Sequence, residues 1–246
     1  MKIRNSAPTI ASLISLCCGF GCILSAIEGN YEIAAWLIVL SMIFDSLDGK
    51  LARFAKTAGV FGAQLDSIID IVVFGVAPVI LVGQLCKEAY PFIVGIICFF
   101  YLSCAALRLA KFNVEHTIEK KPCRYFVGLP STISGGTIAQ LVLLHYYLNE
   151  SYGIATVLEI IPPVTFVLGI LMVSKLRFLN IMARISVKQG IFPFSLEMAG
   201  SVILFVINPR IALSVSLSSY ILVCGLLGLR KKAAASEQMD VTLSNL

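Results

Sequence analysis

Apolar runs of about twenty residues follow one another along this sequence, each long enough to cross a bilayer as a helix. That feature leaves few options. Hydrocarbon supplies no hydrogen-bond partners, so a spanning segment must satisfy its own backbone as a helix or close into a barrel. The runs are continuous rather than alternating in polarity, which selects helices. Only 13% of the residues are charged, where a soluble domain carries about 25%. The expected fold is all-α, a polytopic membrane helix bundle.

Charged residues and Pro/Gly/Asn punctuation divide the sequence into about eight transmembrane helices, near 8–28, 31–54, 60–85, 90–112, 130–148, 152–174, 191–208 and 211–229. Pro162-Pro163 marks a point where the sixth helix would break. Of the 19 Lys and Arg, all but Lys87 and Arg210 fall in one alternating set of connections. Basic loops stay in the cytoplasm, so both termini are expected there. The start, Met1 to Leu13, has the basic-then-apolar order of a signal peptide but no convincing cleavage site, and reads as a retained first span. Residues 1–232 read as a single transmembrane catalytic domain, with a core at 8–174 and extra helices at 191–229; 233–246 read as a polar, disordered tail. The net charge of +5 is explained by loops that meet anionic headgroups, with no pattern suggesting nucleic acid. Most of the eight cysteines sit inside apolar runs and none forms a CxxC pair, so they read as small core residues.

Four acids break the apolar pattern in the stretch Phe44 to Asp70. Asp45 and Asp48 are three residues apart, and Asp66 and Asp70 four apart, so each pair projects from one helix face. A hairpin turning at Thr57-Ala58-Gly59 sets Asp48 level with Asp66 and Asp45 level with Asp70. All four then lie roughly 12–20 Å along the helices from a cytoplasmic turn. An Asp in mid-membrane costs about 2.5–3.5 kcal/mol on the insertion scale. Protonation, basic partners or divalent cations are the remedies. Lys50, Arg53 and Lys56 are near in sequence but point toward the turn. An all-oxygen cage suits Mg²⁺ or Mn²⁺, and four carboxylates suffice for two ions, the arrangement used in phosphoryl displacement.

A proton or cation pathway in a transporter also uses intramembrane acids, and it stands as the competing reading. The surrounding residues favour a substrate site. Gly49 and Ala52 flank the first pair, Gly62 lies four before Asp66, and Arg53 is placed to grip a phosphate.

Taken together, Asp45-Ser-Leu-Asp48-Gly49-Lys-Leu-Ala52-Arg53, eight residues, Gly62, three residues, Asp66, three residues and Asp70 resembles the signature of the CDP-alcohol phosphatidyltransferase family. The resemblance implies transfer of a phosphatidyl group from CDP-diacylglycerol to an alcohol, with release of CMP. It further implies two Mg²⁺ or Mn²⁺ ions held by Asp45, Asp48, Asp66 and Asp70, with Asp70 also the base for the attacking hydroxyl. Gly49, Ala52, Arg53 and Gly62 would line the CDP pocket. Three stretches resemble the phosphatidylserine synthase branch: Phe74-Gly75-Val76-Ala77-Pro78, Ala106 to Asn113, and Phe126-Val127-Gly128-Leu129-Pro130-Ser131. They imply L-serine as acceptor, with Arg108 and Lys111 available for its carboxylate. Choline, inositol or glycerol phosphate, or an archaeal ether lipid, stand as alternatives in the same chemistry. In the first span, Thr9, Ser12 and Ser15 stand where that branch has Asn-rich positions. A homodimer, a site opening to the cytoplasm and a bacterial inner membrane complete the expectation.

Overall fold

The structure, a computed structural model, describes residues 7–55, 60–88, 91–118, 125–154, 156–174, 176–179 and 210. The chain falls into two compact units, Met1–Lys120 with Pro130–Val173, and Lys121–Leu129 with Ser174–Leu246. Every aspartate of the cluster belongs to the first.

That first unit is helical. Its elements are α1 (Ala7–Ile27), α2 (Tyr31–Ala55), α3 (Val60–Asp70), α4 (Ala77–Leu85), α5 (Pro91–Ile118), α6 (Ser131–Tyr152) and α7 (Val157–Val173). Among the described residues, three stretches are long and apolar enough to cross a membrane: Thr9–Ile27, Gln64–Leu85 and Pro91–Val114. This is a membrane protein. The α2 helix is of spanning length too, but Glu32, Asp45, Asp48, Lys50 and Arg53 interrupt its apolar character. The expected helices at 191–208 and 211–229 and the tail lie outside the described residues.

Helices in lipid gain little from burying apolar surface against each other, so small residues that permit close approach decide the packing. The α1–α2 pair shows this, with Cys22, Ala26, Ala34 and Ala35 fully buried. A Cβ added at Gly21 would come within 3.3 Å of Leu37. The buried side of α6 is similarly small, with Ser134, Gly135, Gly136, Thr137 and Ala139. On α7, Gly169 lets Phe100 and the backbone of Tyr101 approach, and Phe100 stacks on Phe166 at 4.7 Å. Large side chains such as Phe92, Ile96 and Phe99 point outward, as lipid-facing residues should. The six described cysteines are free thiols, all buried except Cys17.

Two expectations are corrected. The span near 60–85 is not one regular α-helix: Ile71–Val76, between α3 and α4, forms a wide π-helical turn. The α7 helix runs unbroken through Pro162 and Pro163, starting only five residues before them, with Glu159 in its first turn favouring the helix dipole. The described residues are helical as expected, apart from one short strand pair. In the second unit β1 (Tyr125–Val127) pairs antiparallel with β2 (Arg177–Leu179), with Phe126 opposite Phe178. Gly128, at a φ of 85°, follows β1 and donates its N–H to the carbonyl of Leu176 at 2.8 Å. His145, near the end of α6, is buried edge-on to Tyr146.

Candidate active site

The acids converge. One carboxylate oxygen from each of Asp45, Asp48 and Asp66 lies within 4.8 Å of the other two. Asp70 joins them beside Asp45, close enough for the two side chains to act on each other. The partner of Asp45 is therefore the residue that hairpin symmetry places at its level. Helical spacing does the work within each pair, because residues three or four apart stack on one face. Across the pair, α1 packs against both α2 and α3.

A serine that the sequence left without a role orients one of these acids. Ser12, buried on α1, donates its Oγ–H to Oδ2 of Asp48 at 2.8 Å, and Asp48 itself is only 6% exposed. One turn further, Ser15 and Ser41 exchange hydroxyl-to-carbonyl bonds at 3.3 Å and so pin α1 to α2. Ser67, next to Asp66, donates to Oδ1 of Asn113 at 2.9 Å and ties α3 to α5. The hydroxyls of α1 were visible in the sequence. Their targets were not, because 36 residues separate Ser12 from Asp48.

Arg108 also reaches the cluster. Its Nη1 donates to Ser131 Oγ at 2.8 Å, and its charge acts on Asp70. Sequence proximity had suggested only Lys50, Arg53 and Lys56 as basic neighbours; folding adds one from α5. Lys111, one turn along the same helix, is exposed. Gly62 is exposed, and a Cβ added there would meet no atom within 4 Å, so space is open beside it. Gly49, Ala52 and Arg53 lie on α2, but their side chains, like the turn at Thr57-Ala58-Gly59, lie outside the described residues.

Among the described residues, Arg108 is the basic group near these four acids, and four carboxylates need further positive charge. Oδ1 of Asp70 is buried with no hydrogen-bond partner among the described residues. Such an oxygen-only donor set, with one acceptor left over, fits a hard divalent cation. Ser12→Ala should then weaken Mn²⁺ binding on the order of 10-fold, since partners that orient metal ligands carry about that weight. Ser12→Thr keeps the hydroxyl and should bind Mn²⁺ nearly as the natural chain does. A titration followed by electron paramagnetic resonance reads both.

Comparison with known proteins agrees with this geometry. Residues 5–173 match the family model for CDP-alcohol phosphatidyltransferase. A CDP-diacylglycerol–serine O-phosphatidyltransferase of Helicobacter pylori is 31% identical over 217 residues, 87% of each chain. The enzyme of the same name from Bacillus subtilis is 34% identical over 175 residues, covering 71% of this chain and 90% of its own. An archaetidylserine synthase of Methanothermobacter thermautotrophicus is 34% identical over 144 residues, 57% of this chain and 59% of its own. The aspartate cluster of α2 and α3 lies within the matched residues, and the chain belongs to the CDP-alcohol phosphatidyltransferase family.

Proposed function

We propose that this enzyme transfers the phosphatidyl group of CDP-diacylglycerol to the hydroxyl of L-serine, giving phosphatidylserine and CMP. The observation that carries the reading is the convergence of Asp45, Asp48 and Asp66 within 4.8 Å, with Asp70 beside Asp45. The names of the relatives support serine as the acceptor.

The reaction is one in-line displacement. The serine oxygen bonds to the lipid-linked phosphorus, the phosphorus–oxygen bond to CMP breaks, and the hydroxyl proton passes to the Asp70 carboxylate. Asp45, Asp48, Asp66 and Asp70 would hold two Mg²⁺ or Mn²⁺ ions, which when bound supply positive charge for the diphosphate and the departing CMP oxygen. Arg53 grips the diphosphate, and Gly49, Ala52 and Gly62 leave room for the cytidine diphosphate. The open space at Gly62 supports that role. Arg108 and Lys111 bind the carboxylate of serine. The effect of the Arg108 charge on Asp70 supports an acceptor whose anionic end lies beside the base that takes its proton.

Eight spans, with both termini and the mouth of the site on the cytoplasmic side, bring a water-soluble nucleotide to the aspartates while the acyl chains stay in the inner leaflet. Residues 1–232 form one catalytic domain, with the helices at 191–229 as additions to the core and 233–246 as a tail. The protein works as a homodimer in a bacterial inner membrane. Radiolabelled L-serine supplied with CDP-diacylglycerol to the purified protein should enter the chloroform-soluble fraction. Labelled choline, inositol or glycerol phosphate entering in its place would reassign the acceptor.

A further inference from the structure

The wide turn begins at the residue after Asp70, and its cause is legible once the geometry is known. Pro78 has no N–H to offer the carbonyl four residues back, that of Phe74, and its ring crowds the same carbonyl. The backbone responds by widening: Ala77 donates its N–H to Val72, five residues back, instead of to Val73. In hydrocarbon a carbonyl deprived of its helical donor has no water to turn to. Tyr101, fully buried on α5, supplies a donor, its hydroxyl meeting the Phe74 oxygen at 3.1 Å.

The turn is gripped from two further sides. A Cβ on Gly19 of α1 would fall 2.7 Å from Val73 Cγ2 and 3.2 Å from its Cα. A Cβ on Gly135 of α6 would fall 3.2 Å from the Cα, Cβ and Cδ1 of Phe74. Three helices thus hold a segment that a straight α-helix would not contain. The register matters because each α-helical residue turns the chain by about 100°. One residue inserted at 71–76 fixes how far the face carrying Asp66 and Asp70 is rotated from the buried face of α4, which carries Ala77, Pro78, Leu81 and Val82. Wide turns of this kind recur at functional sites.

We propose that Tyr101 is a positioning residue for the aspartate cluster: its hydroxyl on the Phe74 carbonyl holds the wide turn, and the turn sets the angle at which Asp66 and Asp70 meet Asp45 and Asp48. The proposal rests on the metal reading of those acids. Tyr101 touches neither substrate nor cation; it acts through the backbone of Phe74. Tyr101→Phe keeps the ring and its packing and removes only the donor.

The test is Mn²⁺ binding to the full-length protein in detergent, followed by electron paramagnetic resonance without substrate, for the natural chain, Tyr101→Phe and Asp66→Ala. Tyr101→Phe should bind Mn²⁺ on the order of 10-fold more weakly. Its CMP release should require correspondingly more Mn²⁺, with KM for CDP-diacylglycerol unchanged. A residue that merely stabilised the bundle would lower the thermal midpoint and leave the Mn²⁺ titration where it was, and that result overturns the proposal. Should Tyr101→Phe not yield folded protein, Gly135→Ala presses on the same turn from α6 and is read by the same titration, with the same two outcomes. Asp66→Ala separates the layers. If it binds Mn²⁺ as tightly as the natural chain, the metal reading fails and takes this inference with it. If it loses Mn²⁺ while Tyr101→Phe does not, the assignment of Tyr101 alone is wrong.

Discussion

Asp70→Asn should lower the turnover of serine-dependent CMP release by about 10²–10⁴-fold, the range that a positioned general base contributes. The amide has nearly the volume of the carboxylate and can still hydrogen-bond to Asp45, so the local packing survives. It cannot accept a proton from the attacking hydroxyl. Stability should move the other way. Asp70 lies in a cluster of like charges with Oδ1 buried and unpartnered, and a neutral amide relieves part of that repulsion. The variant is therefore expected to be at least as stable as the natural chain in metal-free buffer while nearly inactive. A variant that is inactive because it is unfolded would show a lowered thermal midpoint instead. Pairing the midpoint with the turnover distinguishes the two.

Chelation should have an effect as large. The four carboxylates are a liability in the membrane without cations, and the cations are what neutralise the diphosphate during transfer. Several kcal/mol of charge stabilisation corresponds to about 10³-fold in rate at 1.4 kcal/mol per decade. Exhaustive treatment with a chelator should remove activity to that extent, and Mg²⁺ or Mn²⁺ should restore it. Ca²⁺ should restore little, because it prefers six to eight oxygens at longer distances than a compact aspartate cluster offers. Asp48 is held by Ser12 at 2.8 Å, so the Ser12→Ala chain should need more Mn²⁺ for the same recovery. Activity that persists through chelation would remove the metal from the chemistry.

How much of this was legible in the sequence depends on the range of the interaction. The first two helices, expected at 8–28 and 31–54, are found at Ala7–Ile27 and Tyr31–Ala55, because charges and a Gly-Asn pair punctuate apolar runs sharply there. The pairing of Asp45 with Asp70 followed from counting residues about one turn. Long-range partners left no such signal. Nothing in the order of residues announces that Ser12 will meet Asp48, or that Arg108 will come near Asp70. The wide turn was hidden for a different reason. Ile71 to Val76 is apolar throughout, so an inserted residue leaves no gap in the hydrophobic pattern. Pro78 was the available clue, read as part of a family motif and not as the loss of a donor to Phe74. The β1–β2 ladder was missed because three-residue strands in basic loops carry no periodicity long enough to detect.

Prolines 162 and 163 mark the reverse case, a strong local signal overridden. A double proline inside an apolar run ordinarily ends a helix. Here both lie near the start of α7, and the helix continues through Thr165, whose hydroxyl donates to the carbonyl of Ile161 at 2.8 Å.

The most direct measurement is CMP release by the purified full-length protein from CDP-diacylglycerol with Mn²⁺, with and without L-serine, beside Asp66→Ala. The account predicts CMP only when lipid, serine and divalent cation are all present, and a loss of about 10³-fold or more in Asp66→Ala. CMP formed at the same rate without serine, or near-normal release by Asp66→Ala, would contradict it.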